Sequence, residues 1–324
     1  MRTSPQVQAA VGWFLLLPGC AASRQSLYVV TVPVADVRSE PGSFAKAQTH
    51  DPLQETQVLY GERVRLTKTE GAWALIEAIE QFEYTHHQRW QGYPGWVLAD
   101  VLQPQRHRQP PNAIVSAKWA PVWRDARMAT PWLSLPLGTH LAVSDLDRLL
   151  YRVQLVSGQT GWISSSSVRL HKDLERFSVE QKRRAILRTA DFFLGDPYFW
   201  GGRSPFLGHS NGPVTGVDCS ALVSLVYRSV GIEVPRDAHE QYQRARKVRR
   251  LKPADLIFLS APNDPSKVVH VMLYADDDRL IEGPGTGLSV RRMEVTRRLG
   301  RSVKDLKPGD RLDQQTIIFG AYLP

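Results

Sequence analysis

With 324 residues, 42% of them apolar and 23% charged, the chain is long enough for two or three hydrophobic cores and too apolar for wholesale disorder. A formal net charge of +9 favours polyanionic surroundings. Its Lys and Arg residues fall in short scattered clusters, such as Lys182-Arg183-Arg184 and Arg297-Arg298, without the interleaved aromatics of a single-strand nucleic-acid binder. Only two cysteines occur, Cys20 and Cys219, neither in a CxxC pair, so zinc-ribbon and thioredoxin chemistry have no support.

Residues 1–24 have the character of an export signal. Arg2 is the sole charge before Arg24, and the apolar stretch Ala9 to Leu17 is too short for a stable transmembrane helix. Leu17-Pro18-Gly19-Cys20 resembles a lipobox, with an atypical proline in the second place. Lipidation of Cys20 and cleavage after Ala22 are competing readings. Either implies an extracytoplasmic protein, and the first adds a membrane anchor.

From residue 25 to 104 the pattern is short and β-like. Leu27 to Val32 is rich in β-branched residues, Glu40-Pro41-Gly42 marks a turn, and Val64 and Leu66 alternate with polar neighbours. The charged, His-rich Glu83 to Arg89 reads as a loop before Gly95-Trp96-Val97. Gln103 to Asn112, with three prolines, is the clearest linker, and 105–112 is taken as its span. Residues 113–170 repeat the order of the first unit and end in Gly161-Trp162-Ile163, so two small β-barrels are expected.

After residue 170 the character changes. Ser178-Val179-Glu180-Gln181 has the form of a capping box, and helical spacing continues to Phe193. A Gly-rich loop, Tyr198-Phe199-Trp200-Gly201-Gly202, precedes a second helix opening at Cys219. Strands are expected at Leu256 to Leu259, Val268 to Tyr274, Leu280 to Glu282 and Ile317 to Tyr322. Residues 171–324 are therefore predicted to form an α+β domain.

Cys219 follows Asp218 where a loop enters this helix, and a helix N-terminus favours a thiolate and can hold an oxyanion. An isolated cysteine there is equally well explained as an inert buried residue. His270, beside the apolar Val271-Met272-Leu273-Tyr274, supplies the base that a thiol nucleophile needs. If its strand pairs with the next, Glu282 can orient the imidazole. Read alone, a histidine in the place of His270 is more often structural, and Glu282 reads as a partly solvated charge before Gly283-Pro284-Gly285.

Together these residues resemble the NlpC-type cell-wall cysteine peptidases. The matching motifs are Pro197-Tyr198-x-Trp200-Gly201-Gly202, Asp218-Cys219-Ser220, Pro235-Arg236-Asp237-Ala238, the Pro253 to Phe258 turn-strand and His270-Val271. The first two units resemble bacterial SH3-like domains through Val37-Arg38-Ser39-Glu40-Pro41 and Gly61-Glu62-x-Val64. The resemblance implies a papain-like core with Cys219 as nucleophile, His270 as base and Glu282 in the third place, where the family most often has His. Ala221 replaces a usual Gly and is expected to narrow the room beside the nucleophile. The insertion Ser204 to Gly216 is expected to cover the cleft.

The same resemblance implies hydrolysis of the γ-D-glutamyl bond to diaminopimelate or lysine in murein peptides, with a free N-terminal L-alanine. Asp237, Glu62 and Tyr93 are the expected amine-binding residues, Tyr198 and Trp200 the cleft wall, and Asp218 and Ser220 further substrate contacts. Blander readings remain for three of them: a helix cap for Asp237, a solvated turn for Glu62, packing on Trp96 for Tyr93. Hydrolysis of intact wall, with the β units as binding modules, and a non-catalytic wall-binding lipoprotein are the alternatives. No metal cluster, phosphate loop or dinucleotide motif is present in the sequence, so no cofactor is expected. No nucleic-acid partner is expected either.

Overall fold

The structure, a computed structural model, describes residues 26–42, 50–106, 109–147, 149–208 and 213–324. The expected export segment and Cys20 lie outside the described residues. Among those described, no helix is long and apolar enough to cross a membrane.

The first unit consists of β1 (Leu27–Val30), β2 (Val34–Arg38), β3 (Gln54–Leu59), β4 (Arg63–Glu70), β5 (Trp73–Glu83), β6 (Gln91–Leu98) and β7 (Leu102–Pro104). The second consists of β8 (Ala113–Val115), β9 (Trp119–Trp123), β10 (Pro131–Pro136), β11 (His140–Asp147), β12 (Leu150–Gln154), β13 (Thr160–Ser164) and β14 (Val168–Leu170). Their strand orders, β3-β2-β6-β5-β4-β1-β7 and β10-β9-β13-β12-β11-β8-β14, correspond strand for strand. The repeat is thus visible in topology. Alternating apolar side chains give each unit a core, around Val37, Val58 and Ile76 in the first and Val122, Leu135 and Ile163 in the second.

The C-terminal part starts with α1 (His171–Glu175) and α2 (Val179–Ala190). The Ser178–Gln181 capping box forms as expected. The short ladder of β15 (Arg203–Ser204) and β16 (Gly216–Val217) precedes α3 (Cys219–Arg228) and α4 (Ala238–Arg244). Strands β17 (Arg246–Lys247), β18 (Leu256–Ala261), β19 (Asp264–Asp276), β20 (Arg279–Glu282), β21 (Arg291–Glu294), β22 (Arg311–Leu312) and β23 (Gln315–Ala321) make one antiparallel sheet, with α5 (Val295–Leu299) after β21. Every residue of α3 is buried, which explains an apolar sequence without a polar face. α3 packs with α2 on one sheet face, while Val295 and Leu299 of α5 join Met272 and Leu280 on the other.

The β units are built into the C-terminal core. Val34 and Leu59 of the first and Leu137 of the second share a cluster with Leu222 and Leu225 of α3. Gly138, at φ +87°, lets α3 approach: a Cβ there would lie 3.0 Å from Leu225. Arg228, at the end of α3 and only 1% exposed, joins all three parts. Its Nε donates to the Gly138 carbonyl at 2.9 Å, and its guanidinium reaches Glu62 at 3.2 Å, Glu80 at 2.9 Å and Glu233 at 3.3 Å. Glu233 is held at a pKa of about 2, because the attraction of Arg228 outweighs the burial that would raise it. Removing one member of such a buried network leaves uncompensated charges. Arg228→Met is expected to cost about 3–5 kcal/mol, read from urea unfolding curves, and a loss below about 1 kcal/mol would deny this residue its linking role.

Candidate active site

Cys219 opens α3. Asp218 caps the helix, its Oδ1 accepting from the Ala221 N–H at 2.7 Å, so the helix start lies directly under the thiol. Cys219 is 8% exposed and unpaired. His270 sits on β19. That strand begins earlier than the sequence pattern indicates, at Asp264, and a bulge falls where Leu259 pairs with His270 but Ser260 pairs with Val268. Bulges re-aim side chains, and here the imidazole interacts with Cys219.

The expected hairpin of β19 and β20 forms, with Leu273 opposite Ile281. Continuing that register puts Glu282 opposite Met272, so His270, two residues away, is a diagonal neighbour on the same face. The His270 Nε2 lies 2.9 Å from Glu282 Oε2. That leaves Nδ1 for the thiol. Burial disfavours the imidazolium, but Cys219 and then Glu282 outweigh it and push the His270 pKa up to about 9. Glu282 is fully buried, yet His270 and two arginines hold its pKa at about 2. Arg291 donates to Oε1 through Nε at 3.0 Å and Nη2 at 2.7 Å, and Arg298 Nε lies 3.2 and 3.1 Å from the two oxygens.

The loop at Tyr198–Gly202, the expected cleft wall, lies beside the thiol. Tyr198 is buried near Cys219, and burial first, then the charges of Cys219 and Asp218, raise its pKa. Trp200 is 52% exposed, as suits a wall residue. Gly201, at φ +70°, is pressed against the first β unit: a Cβ would fall 2.8 Å from Gln54 Cγ and 2.9 Å from its carbonyl.

Three groups converge at another end. Tyr93 donates to Glu55 at 3.3 Å and lies beside Asp237. Asp237 precedes α4 but makes no capping bond, so the cap reading fails. Its side chain keeps 37% exposure and lies 3.4 Å from Arg236. Burial, opposed by Arg236 and reinforced by Glu240 and Asp218, pushes its pKa up to about 7. Such a carboxylate, shared with a guanidinium already bound to Asp218 and partly open to solvent, suits a ligand ammonium.

Three expected substrate contacts are corrected. Glu62 is 3% exposed and held by Arg203 at 2.9 Å and Arg228, so it belongs to the inter-unit network. Asp218 is spent on the Ala221 and Gly201 N–H groups and on Arg236. The Ser220 hydroxyl, also buried, donates to Asp218 and accepts from Arg236. Ala221 is fully buried in the same apolar cluster as Cys219. Of the 204–216 insertion, the described ends are pinned by Phe206 N to Asp196 and by Gln57 Nε2 to the Val214 carbonyl.

Residues missed from sequence are Glu55, Arg236, Arg291 and Arg298. Arg236 stood inside a quoted motif. It is fully buried and ties Asp218 (2.7 Å) to Thr56 of β3 (2.7 Å). The others carried no local signal, since they meet the site only through strand pairing.

Residues 195–303, which span the thiol, the imidazole and Glu282, match the NlpC/P60 family. This part of the chain is an NlpC/P60 domain. Over 282 residues the chain is 28% identical to a gamma-D-glutamyl-L-lysine dipeptidyl-peptidase of Bacillus cereus, covering 82% of this chain and 80% of the relative. Its similarity to the enzyme of that name from Bacillus subtilis is also 28%, over 76% of this chain and 77% of the other. A solved NlpC/P60 family protein from Bacillus cereus superposes with a TM-score of 0.72 at 23% identity, covering 92% of this chain and all of that one. The likeness in fold therefore includes both β units.

The NlpC/P60 site makes a direct prediction about the thiol. His270→Ala should slow alkylation of Cys219 by iodoacetamide at neutral pH at least about ten-fold, because the neighbouring base is lost. Followed by mass spectrometry of the intact chain, an unchanged rate would separate the two residues.

Proposed function

We propose that this NlpC/P60 chain is a cell-wall cysteine peptidase. It hydrolyses the γ-D-glutamyl bond to a diamino acid in murein peptides with a free N-terminal L-alanine. One observation carries the choice of substrate. The first β unit closes the cleft with Tyr93 and Glu55 beside Asp237, three groups suited to an ammonium. The names of the two Bacillus relatives point the same way.

In this reading the Cys219 thiolate attacks the γ-carbonyl carbon of D-glutamate. N–H groups at the start of α3 receive the developing oxyanion, with Tyr198 beside them. The His270 imidazolium gives its proton to the leaving amine, so the diamino acid departs on the imidazole side. A water molecule, deprotonated by His270, then cleaves the thioester and releases L-Ala-γ-D-Glu. Glu282 keeps the ring oriented throughout.

The domain division follows from the same reading. Residues 25–104 and 113–170 are two SH3-like units, here serving as walls and braces of the site, and 171–324 is a papain-like peptidase domain. A hydrolase of intact wall would need an open cleft. The packing of Gln54 on Gly201 and of the Thr85 side chain on Glu240 argues against it. The proposed site of action is extracytoplasmic.

Cys219→Ala should abolish cleavage of L-Ala-γ-D-Glu-diaminopimelate in a chromatographic assay, and surviving turnover would remove the mechanism. Acetylating the alanine should lower kcat/KM at least about a hundred-fold, the scale of a lost charge-assisted contact. Glu55→Gln with Asp237→Asn should erase most of that discrimination. The sign with pH follows from the shifts. Asp237 must ionise, so kcat/KM rises through about 7, and His270 must stay protonated, so kcat falls as pH passes about 9. Asp237→Asn should remove the acid limb alone.

A further inference from the structure

We infer that Arg298 and Arg291 are positioning residues for the hydrolysis: by clamping Glu282 they fix the imidazole and set how readily it surrenders its proton to the leaving amine. This rests on the reading above, in which Glu282 orients His270.

Glu282 has both oxygens occupied. Oε2 faces His270 at 2.9 Å, Oε1 receives two bonds from Arg291, and Arg298 Nε spans the pair. A carboxylate held at that many points cannot rotate away from the ring. The arrangement follows from topology. Glu282 on β20 pairs directly with Arg291 on β21, and the chain turns at once into α5. Val295 and Leu299 anchor α5 over Met272 and Leu280, and Arg298, between them in the chain, meets the carboxylate.

The charge balance gives the arginines a chemical consequence. A single buried carboxylate beside an imidazolium would hold its proton tightly. Two guanidiniums turn the local charge from −1 to +1, by simple addition, and so oppose that hold. The groups facing the ring are Cys219 from α3 and Glu282 from β20. Arg291 from β21 and Arg298 from α5 face Glu282, while Tyr198 and Asp218 lie around Cys219. The neighbouring Arg292 turns away to Asp191 at 2.6 Å and plays no part.

A purely structural pair would lower stability and leave the titration of the ring where it is. The test is therefore the pH profile of kcat in the full chain, with L-Ala-γ-D-Glu-diaminopimelate as substrate. Arg298→Met should move the alkaline limb upward by about one pH unit, the scale of one nearby charge removed in a partly screened site. It should also lower kcat at neutral pH about ten-fold. Arg298→Lys, which keeps the charge, should return the limb to its wild-type position. Arg291→Gln alters a side chain 42% exposed and should shift the limb in the same direction even where Arg298→Met fails to fold. Limbs that stay put, or move downward, overturn the inference. Glu282→Gln separates the two levels: full activity there sinks the role given to Glu282, whereas a crippled Glu282→Gln with unmoved arginine variants sinks only the clamp.

Discussion

The Arg236–Asp218 ion pair is the constraint on which the site depends. Asp218 starts α3 and so aims Cys219. The same carboxylate receives the Gly201 N–H and thereby fixes the cleft wall. Arg236 binds that carboxylate at 2.7 Å, reaches Thr56 in the first β unit and directly precedes Asp237. Cys219, the Gly201 loop, Asp237 and the first β unit are thus registered against one buried guanidinium. A bidentate arginine suits such a task, because its planar fork fixes angles as well as distance.

A second buried arginine performs the equivalent role for the architecture. Arg228 collects carboxylates from the first unit and the catalytic part, and a carbonyl from the second unit. Buried ion pairs of this sort add little net stability over apolar packing, but they penalise misassembly, since each partner left alone is a desolvated charge. The β units therefore behave as parts of one enzyme rather than tethered modules. That explains how a cleft can borrow Glu55 and Tyr93 from a unit more than a hundred positions away in the chain.

The cleft is electrically graded. Glu55, Asp237 and Tyr93 make one end acidic, whereas His270 is backed by Glu282 with Arg291 and Arg298. Under the proposed function, a substrate with an ammonium at one end and a leaving amine at the other meets a complementary sequence of charges, so orientation and chemistry are selected together.

Local chemistry was legible in the sequence: the β repeat, the Ser178 capping box, the helix opening at Cys219, and the pairing of His270 with Glu282. These signals lie within one element or between neighbours in the chain, where periodicity and capping rules apply. Glu62 was expected at the amine-binding end through the family resemblance of its motif, whereas Arg203 and Arg228, brought from the other part of the chain, hold its carboxylate in the inter-unit network. Glu55, Arg236, Arg291 and Arg298 acquired their places only through tertiary structure. A charged residue's partners are set by strand register and domain docking, and neither leaves a mark on the residues nearby in sequence.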